Sequence, residues 1–219
     1  MEVLIKKNAF FRIREPINAL THFIGLLAAI PIMIVLLVHS STVYQIVSFT
    51  IFGVSLMLLY GASTIYHSSF GSRKTIAILR RIDHMMIFIL IAGTYTPICL
   101  VNLKGTIGWI LLALVWGFAI FGILLKVFWF DAPRWLSTAI YVTMGWLVLF
   151  AFYPLMKAVP VSGILVLLAG GLSYTAGAVI YALKKPHFNF KNFGFHEIFH
   201  IFVMIGSVFH IVFMFLYVL

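Results

Sequence analysis

Long apolar segments alternate with short polar connections along the whole chain. Each segment is about 20 residues long, which is the length a helix needs to cross the apolar core of a bilayer. The pattern predicts seven membrane-spanning helices joined by short connections. We place the spans at about 17–38, 44–68, 83–102, 106–128, 135–156, 161–183 and 195–219.

The composition agrees with a membrane environment. Of the 219 residues, 63% are apolar and only 9% are charged, which is too few to cover a water-soluble domain of this length. Because seven spans use nearly all of the chain, we predict one all-α membrane domain over residues 1–219. Residues 1–16 form its cytosolic N-terminal segment in this interpretation.

The positive residues predict how the helices are oriented. All but two of the 15 lysines and arginines fall in one alternating set of connections, and the two others are Lys104 and Lys157. By the positive-inside rule, the N-terminus is cytosolic and the C-terminus lies outside a plasma membrane. The net charge of +10 is thus explained by topology, so we expect membrane lipids and no nucleic acid as partners. The lone Cys99 excludes an internal disulfide and a cysteine-based zinc cluster.

Four potential metal ligands are brought to one depth by this topology. His67 ends the second span, Asp83 begins the third, and His196 and His200 lie in the first turns of the seventh. Residues four apart share one face of a helix, so His196 and His200 can bind the same zinc ion. Three histidines leave the fourth tetrahedral position for water, as in catalytic zinc sites. We therefore predict Zn²⁺ bound on the cytosolic side by His67, His196 and His200.

Two further residues are candidates for catalysis at this site. Asp83 can hold or deprotonate the water, and Ser63, one turn before His67, can orient the water or stabilise an oxyanion. Each has a structural alternative. Asp83 can act as a helix N-cap or pair with Arg80 or Arg81, and Ser63 can bond its own helix backbone.

A polar stripe begins the first span. Glu15, Asn18 and His22 follow helical spacing, and if that stripe faces the bundle it supports the metal ligands. Glu15 also precedes Pro16, which is an ordinary start for a helix. Three other histidines we interpret as polar end groups: His39, His84 and His187.

The residues from His196 to His200 also match the motif H-E-x-x-H. In that motif two histidines bind zinc and the glutamate, here Glu197, is the general base of a metalloprotease. The aspartate that usually provides the third ligand on a later helix has no place here, because the seventh span ends the chain. An intramembrane metalloprotease is therefore a minor alternative.

Five short motifs along the chain can be compared with known families. They are E-P-I-N-A-L-T-H from Glu15 to His22, S-T-I-Y-H from Ser63 to His67, R-I-D-H around Asp83, G-T-Y-T-P from Gly93 to Pro97, and H-E-I-F-H from His196 to His200. Taken together, these motifs resemble the haemolysin III family, the bacterial branch of the progestin and adipoQ receptor group, which is related to the adiponectin receptors and the alkaline ceramidases. This resemblance implies zinc on His67, His196 and His200, with Asp83 contacting it through water and Ser63 beside it. It also implies kinship with membrane hydrolases in which zinc-activated water cleaves a lipid amide.

Three functions follow as hypotheses. The leading one is a zinc-dependent hydrolase of lipid amide or ester bonds. The second is a receptor or regulator of membrane lipid homeostasis in which zinc only holds helices together. The third is a pore-forming cytolysin, which is the weakest because the sequence shows no amphipathic, water-soluble form.

Overall fold

The computed structural model describes residues 13–129, 132–186 and 193–219, and within these ranges it contains helices and no strands. Most of the predicted cytosolic segment and His187 lie outside the described residues.

The predicted number of spans is confirmed. In the described part of the chain, seven helices are long and apolar enough to cross a membrane, so the protein is a multi-pass membrane protein. They are α1 (Pro16–Val38), α2 (Val43–Ser68), α3 (Arg73–Asn102), α4 (Thr106–Phe128), α5 (Arg134–Ala158), α6 (Val161–Leu183) and α7 (Phe195–Tyr217).

Helix α3 begins earlier than its hydropathy predicts, at Arg73 instead of near residue 83. The Ser72 hydroxyl caps it by accepting a hydrogen bond from the Thr75 backbone N–H at 3.1 Å. Charged residues lower the hydropathy of these first turns without preventing a helix. The prediction that Asp83 opens α3 is therefore wrong, and so is its alternative role as N-cap, because Asp83 lies well inside the helix.

Two helices change their hydrogen-bonding pattern inside the bundle. The α-helical part of α3 ends at Pro97 and is followed by a π-helical turn over Ile98–Asn102. Helix α5 contains a 3₁₀ stretch over Leu147–Ala151. The Tyr95 hydroxyl donates to the Gly145 carbonyl at 2.6 Å and accepts from the Val148 N–H at 2.9 Å. Tyr95 thus joins α3 to α5 where the latter becomes irregular.

The helices form a closed ring. Each packs against the next in the chain, and α7 packs against α1. The interior is filled by fully buried side chains such as Phe52, Phe88 and Phe213. The outer surface exposes many large apolar residues, for example Leu20, Trp109 and Phe150, as expected where lipid is the solvent.

One end of the bundle carries most of the described lysines and arginines, and we call it the basic end. It contains the start of α1, the end of α2 and the start of α7. The Glu15 N–H donates to the His67 carbonyl at 3.0 Å, which joins α1 directly to the last turn of α2. Ring closure therefore brings residues from the first, middle and last parts of the sequence together.

Candidate metal centre

Three histidines converge at the basic end. His67 comes from the last turn of α2, and His196 and His200 come from the first two turns of α7. Each offers a ring nitrogen, and these atoms all lie within 4.8 Å of one another. The centroid of the His67 ring lies 5.1 Å from that of the His196 ring and 4.8 Å from that of the His200 ring. Three imidazoles in such proximity match the donor set of a zinc site.

Two of these histidines have buried nitrogens without a partner. His67 and His200 are almost fully buried, at 0% and 2% exposure. Among the described residues, neither His67 Nε2 nor His200 Nδ1 has a hydrogen-bond partner. A buried, unsatisfied polar atom costs about 1–3 kcal/mol, and coordination to a metal would remove that cost for any nitrogen it engages. The residues present therefore fit a metal ion.

Glu15 orients His67. It directly precedes α1, but its side chain makes no capping hydrogen bond. Instead its carboxylate accepts a hydrogen bond from His67 Nδ1 and pairs with Arg14 Nε at 3.3 Å. The bond from His67 lowers the pKa of Glu15 to about 2, so the carboxylate is ionised. A proton held on Nδ1 leaves the lone pair of Nε2 for a metal.

Asn18 and Glu197 form a second link at the same level. Asn18 Nδ2 donates to one carboxylate oxygen of Glu197 at 2.7 Å, and the Gly194 N–H donates to the other at 2.7 Å. Glu197 thus caps α7 and joins it to α1. Because both of its oxygens already accept hydrogen bonds, the geometry argues against Glu197 as a general base.

His22 stacks directly on a predicted ligand. Its ring lies 3.8 Å from that of His200 with an interplanar angle of 18°. It also meets the Tyr60 ring edge to face at 5.1 Å. Both of its nitrogens are buried and lack a hydrogen-bond partner among the described residues. Together with Glu15 and Asn18, His22 shows that the polar stripe of α1 faces the three histidines.

A cavity of about 340 Å³ opens beside the histidine cluster. Ser63, Asp83, His196 and His200 all contribute to its wall. Ser63 is fully buried and lies beside the Asp83 carboxylate, which in turn lies within electrostatic range of His67. The Ser63 hydroxyl does not bond its own helix backbone and interacts with the Asp83 carboxylate. Both side chains line the cavity, so a molecule bound there would meet them together.

Residues that the sequence does not single out also line this cavity. His84, interpreted above as an end group, is only partly exposed, and its Nε2 lies 3.3 Å from the Tyr181 hydroxyl. Lys126 near the end of α4 is buried, and Arg134 at the start of α5 lies against Tyr181. No signal in the sequence marks these residues, because a positive residue or a histidine at a helix end is ordinary.

Comparison with known proteins supports one family. A model of the family described as haemolysin-III related matches residues 10–211. A relative from Bacillus subtilis (strain 168), named hemolysin-3 homolog, is 45% identical over 201 residues, which is 90% of this chain and 91% of the relative. A second, named hemolysin-3, comes from Bacillus cereus and is 42% identical over 196 residues, covering 88% of this chain and 86% of that protein.

Proposed function

The chain belongs to the haemolysin III family, and from that premise and its geometry we propose that it is a zinc-dependent membrane hydrolase of a lipid acyl bond. One observation carries the proposal. Two of the three histidines that fit a metal, His196 and His200, line one cavity together with an aspartate and a serine hydroxyl, and His67 lies beside them. A purely structural metal site needs neither Asp83 nor Ser63 beside an open cavity.

His67, His196 and His200 would hold the zinc ion. When bound, zinc supplies Lewis acidity, which makes a nearby water easier to deprotonate and polarises a carbonyl group. Asp83 accepts a proton from the attacking water and returns it to the leaving amine or alcohol. Ser63 donates a hydrogen bond to the carbonyl oxygen as negative charge develops there. Glu15 keeps His67 in the tautomer that binds metal.

The reaction would take place at headgroup depth. The histidines and Asp83 lie at the basic end, which the positive-inside rule assigns to the cytosol. The acyl bonds of membrane lipids lie near this depth, whereas the alkyl chains extend toward the middle of the bilayer. We place the protein in the plasma membrane with its metal site on the cytosolic side.

Two other functions have specific support. The link from Glu15 to His67 and the closure of α1 on α7 suit a receptor or lipid regulator in which zinc only joins helices. The relatives named hemolysin-3 suggest a cytolysin. Both predict that the purified protein releases no acyl product from any lipid.

The decisive experiment measures acyl release from defined lipids. Purified protein is incubated with ceramides, phospholipids and lysophospholipids, and free fatty acid is quantified by mass spectrometry with and without a chelator. The Asp83→Asn variant should keep its zinc and its melting temperature while hydrolysis falls by about a hundredfold. Unchanged hydrolysis in this variant would exclude Asp83 as the base. If the wild type releases nothing from any lipid, the receptor hypothesis is preferred.

A further inference from the structure

The charged side chains that line the cavity beside the histidines are mostly positive. Its lining at the basic end includes Arg80, Arg81, Lys126 and Arg134, whereas Asp83 is the one carboxylate among the described residues that line it. Farther from the basic end its wall is largely apolar. Side chains there include Leu59, Ile87, Leu90, Ile91, Val142 and Val203.

The positive-inside rule does not explain Lys126. That rule concerns lysines and arginines that reach water or lipid headgroups, as the exposed Lys184 and Lys185 do. Lys126 is instead only 6% exposed and lines the cavity. Within the described ranges its ammonium group forms no ion pair or hydrogen bond, and because it is not among the fully buried polar atoms it opens to the cavity without a protein partner. An anion in the cavity would supply that partner.

Arg134 is already held in position for a ligand. Its guanidinium group lies 4.6 Å from the centre of the Tyr181 ring, and one of its nitrogens donates to the Tyr181 carbonyl at 3.4 Å. This contact leaves most of its five N–H donors free of Tyr181. Because an arginine fork recognises phosphate through paired hydrogen bonds, a fixed guanidinium costs less entropy when it binds one.

The positive groups lie close to one another. Lys126 is within electrostatic range of Arg80, and His84 is within range of Lys126, Arg80 and Arg134. Like charges repel at such distances, and a phosphate between them converts the repulsion into attraction. Several cations in the wall of one cavity suit the charge of a phosphate group better than they suit a neutral headgroup.

We infer that the cavity binds a phosphate-bearing amphiphile, with the phosphate at Lys126 and Arg134 and the alkyl chain along the apolar wall. The identification of this amphiphile as the substrate rests on the hydrolase proposed above, but its binding does not. In that arrangement the cations hold the headgroup on the side of the cavity that carries Asp83 and the histidines. The inference requires that the phosphate and the alkyl chain both contribute to binding.

The test uses ligands that cannot be hydrolysed, so binding is separated from catalysis. Purified protein in neutral detergent is titrated with 1-O-hexadecyl-glycerol-3-phosphate, with 1-O-hexadecylglycerol and with inorganic phosphate, and binding is followed by calorimetry. We expect the phosphate-bearing ether lipid to bind at least tenfold more tightly than either of the others. Equal affinities of the two ether lipids, or displacement by inorganic phosphate at a similar concentration, would overturn the inference.

Variants locate the site. Lys126→Met should weaken binding of the phosphate lipid at least tenfold and leave hexadecylglycerol unchanged, and Arg134→Gln should do the same if Lys126→Met fails to fold. Lys157→Met is the matched control, because Lys157 is exposed at the opposite end of the bundle and lies over the Tyr153 ring. Equal losses in the control and in Lys126→Met would contradict the assignment. Normal binding without any acyl release would contradict only the proposed hydrolase.

Discussion

The two nitrogens of His67 have different tasks. Nδ1 donates to Glu15, and Nε2 is buried without a partner among the described residues. A carboxylate behind a histidine ligand raises its basicity and fixes its ring, which is how such pairs increase metal affinity in zinc proteins. The sequence places Glu15 at the start of α1 but cannot show that it reaches across to α2, since this contact depends on how the ring of helices closes.

Replacing Glu15 tests this function. Glu15→Gln keeps the size of the side chain but removes the negative charge, so His67 Nδ1 loses its anionic hydrogen-bond acceptor. We expect zinc affinity to fall by roughly 10- to 100-fold. Competition with a chromophoric chelator measures the change.

Glu197→Gln is the matched control for that variant. It also converts a carboxylate to an amide at the basic end, but the described hydrogen bonds of Glu197 go to Asn18 and the Gly194 N–H and not to a predicted ligand. Zinc affinity and any hydrolysis should stay near the wild-type values, with a small loss in melting temperature from a weaker cap. Loss of hydrolysis with retained zinc in Glu197→Gln would instead favour the metalloprotease.

At the scale of helices, apolar periodicity identifies the spans but not where charged turns extend them. Six of the seven predicted spans begin within one residue of the observed helices, whereas α3 begins at Arg73 because its first turns carry charge. The 3₁₀ stretch of α5 has no clear signal either. Tyr95 of α3 hydrogen-bonds Gly145 and Val148 where this stretch begins, and no local pattern encodes a contact between residues so far apart in sequence.

Tyr95→Phe tests that contact. The variant removes the hydroxyl and so leaves the Gly145 carbonyl and the Val148 N–H without this hydrogen-bond partner. We expect a loss of about 1–3 kcal/mol in stability, seen as a lower melting temperature in detergent. Tyr153→Phe is the control, because Tyr153 lies on the exposed surface of α5, and it should have little effect on the melting temperature. Equal melting temperatures for wild type and Tyr95→Phe would show that the irregular turn is stable by itself.

For the molecule as a whole, the metal would connect parts of the chain that are far apart in sequence. His67 belongs to α2 and the other two histidines to α7, and α1 lies between them through Glu15 and His22. The sequence predicts that these residues share one depth, because short connections between spans leave few alternatives. It does not predict the cavity or its buried lysine, because the cavity is lined by residues from all seven helices and arises only from their packing.

Metal content provides a direct measurement of this connection. Purified protein should contain about one zinc per chain, and the combined variant His67→Ala, His196→Ala, His200→Ala should contain almost none. Because a ligand stabilises the state it binds, saturating zinc at about 100 times its Kd adds roughly 2.7 kcal/mol to stability, so a chelator should lower the melting temperature of the wild type alone. Equal metal in both proteins would refute the site.

The orientation of the bundle decides which lipids the cavity can meet. We expect the basic end to face the cytosol, and single cysteines can test this because Cys99 is buried and should react slowly with added reagents. Lys104 and Lys184 are both exposed and lie at opposite ends of the bundle. In intact cells, a membrane-impermeant maleimide should label Lys104→Cys, whereas Lys184→Cys should be labelled only after permeabilisation.

The reverse pattern would place the histidines, Asp83 and the cationic cavity wall outside the cell. The metal site would then draw on extracellular zinc and on the lipids of the outer leaflet, so both the hydrolysis assay and the phosphate-lipid titration would have to be interpreted for that leaflet.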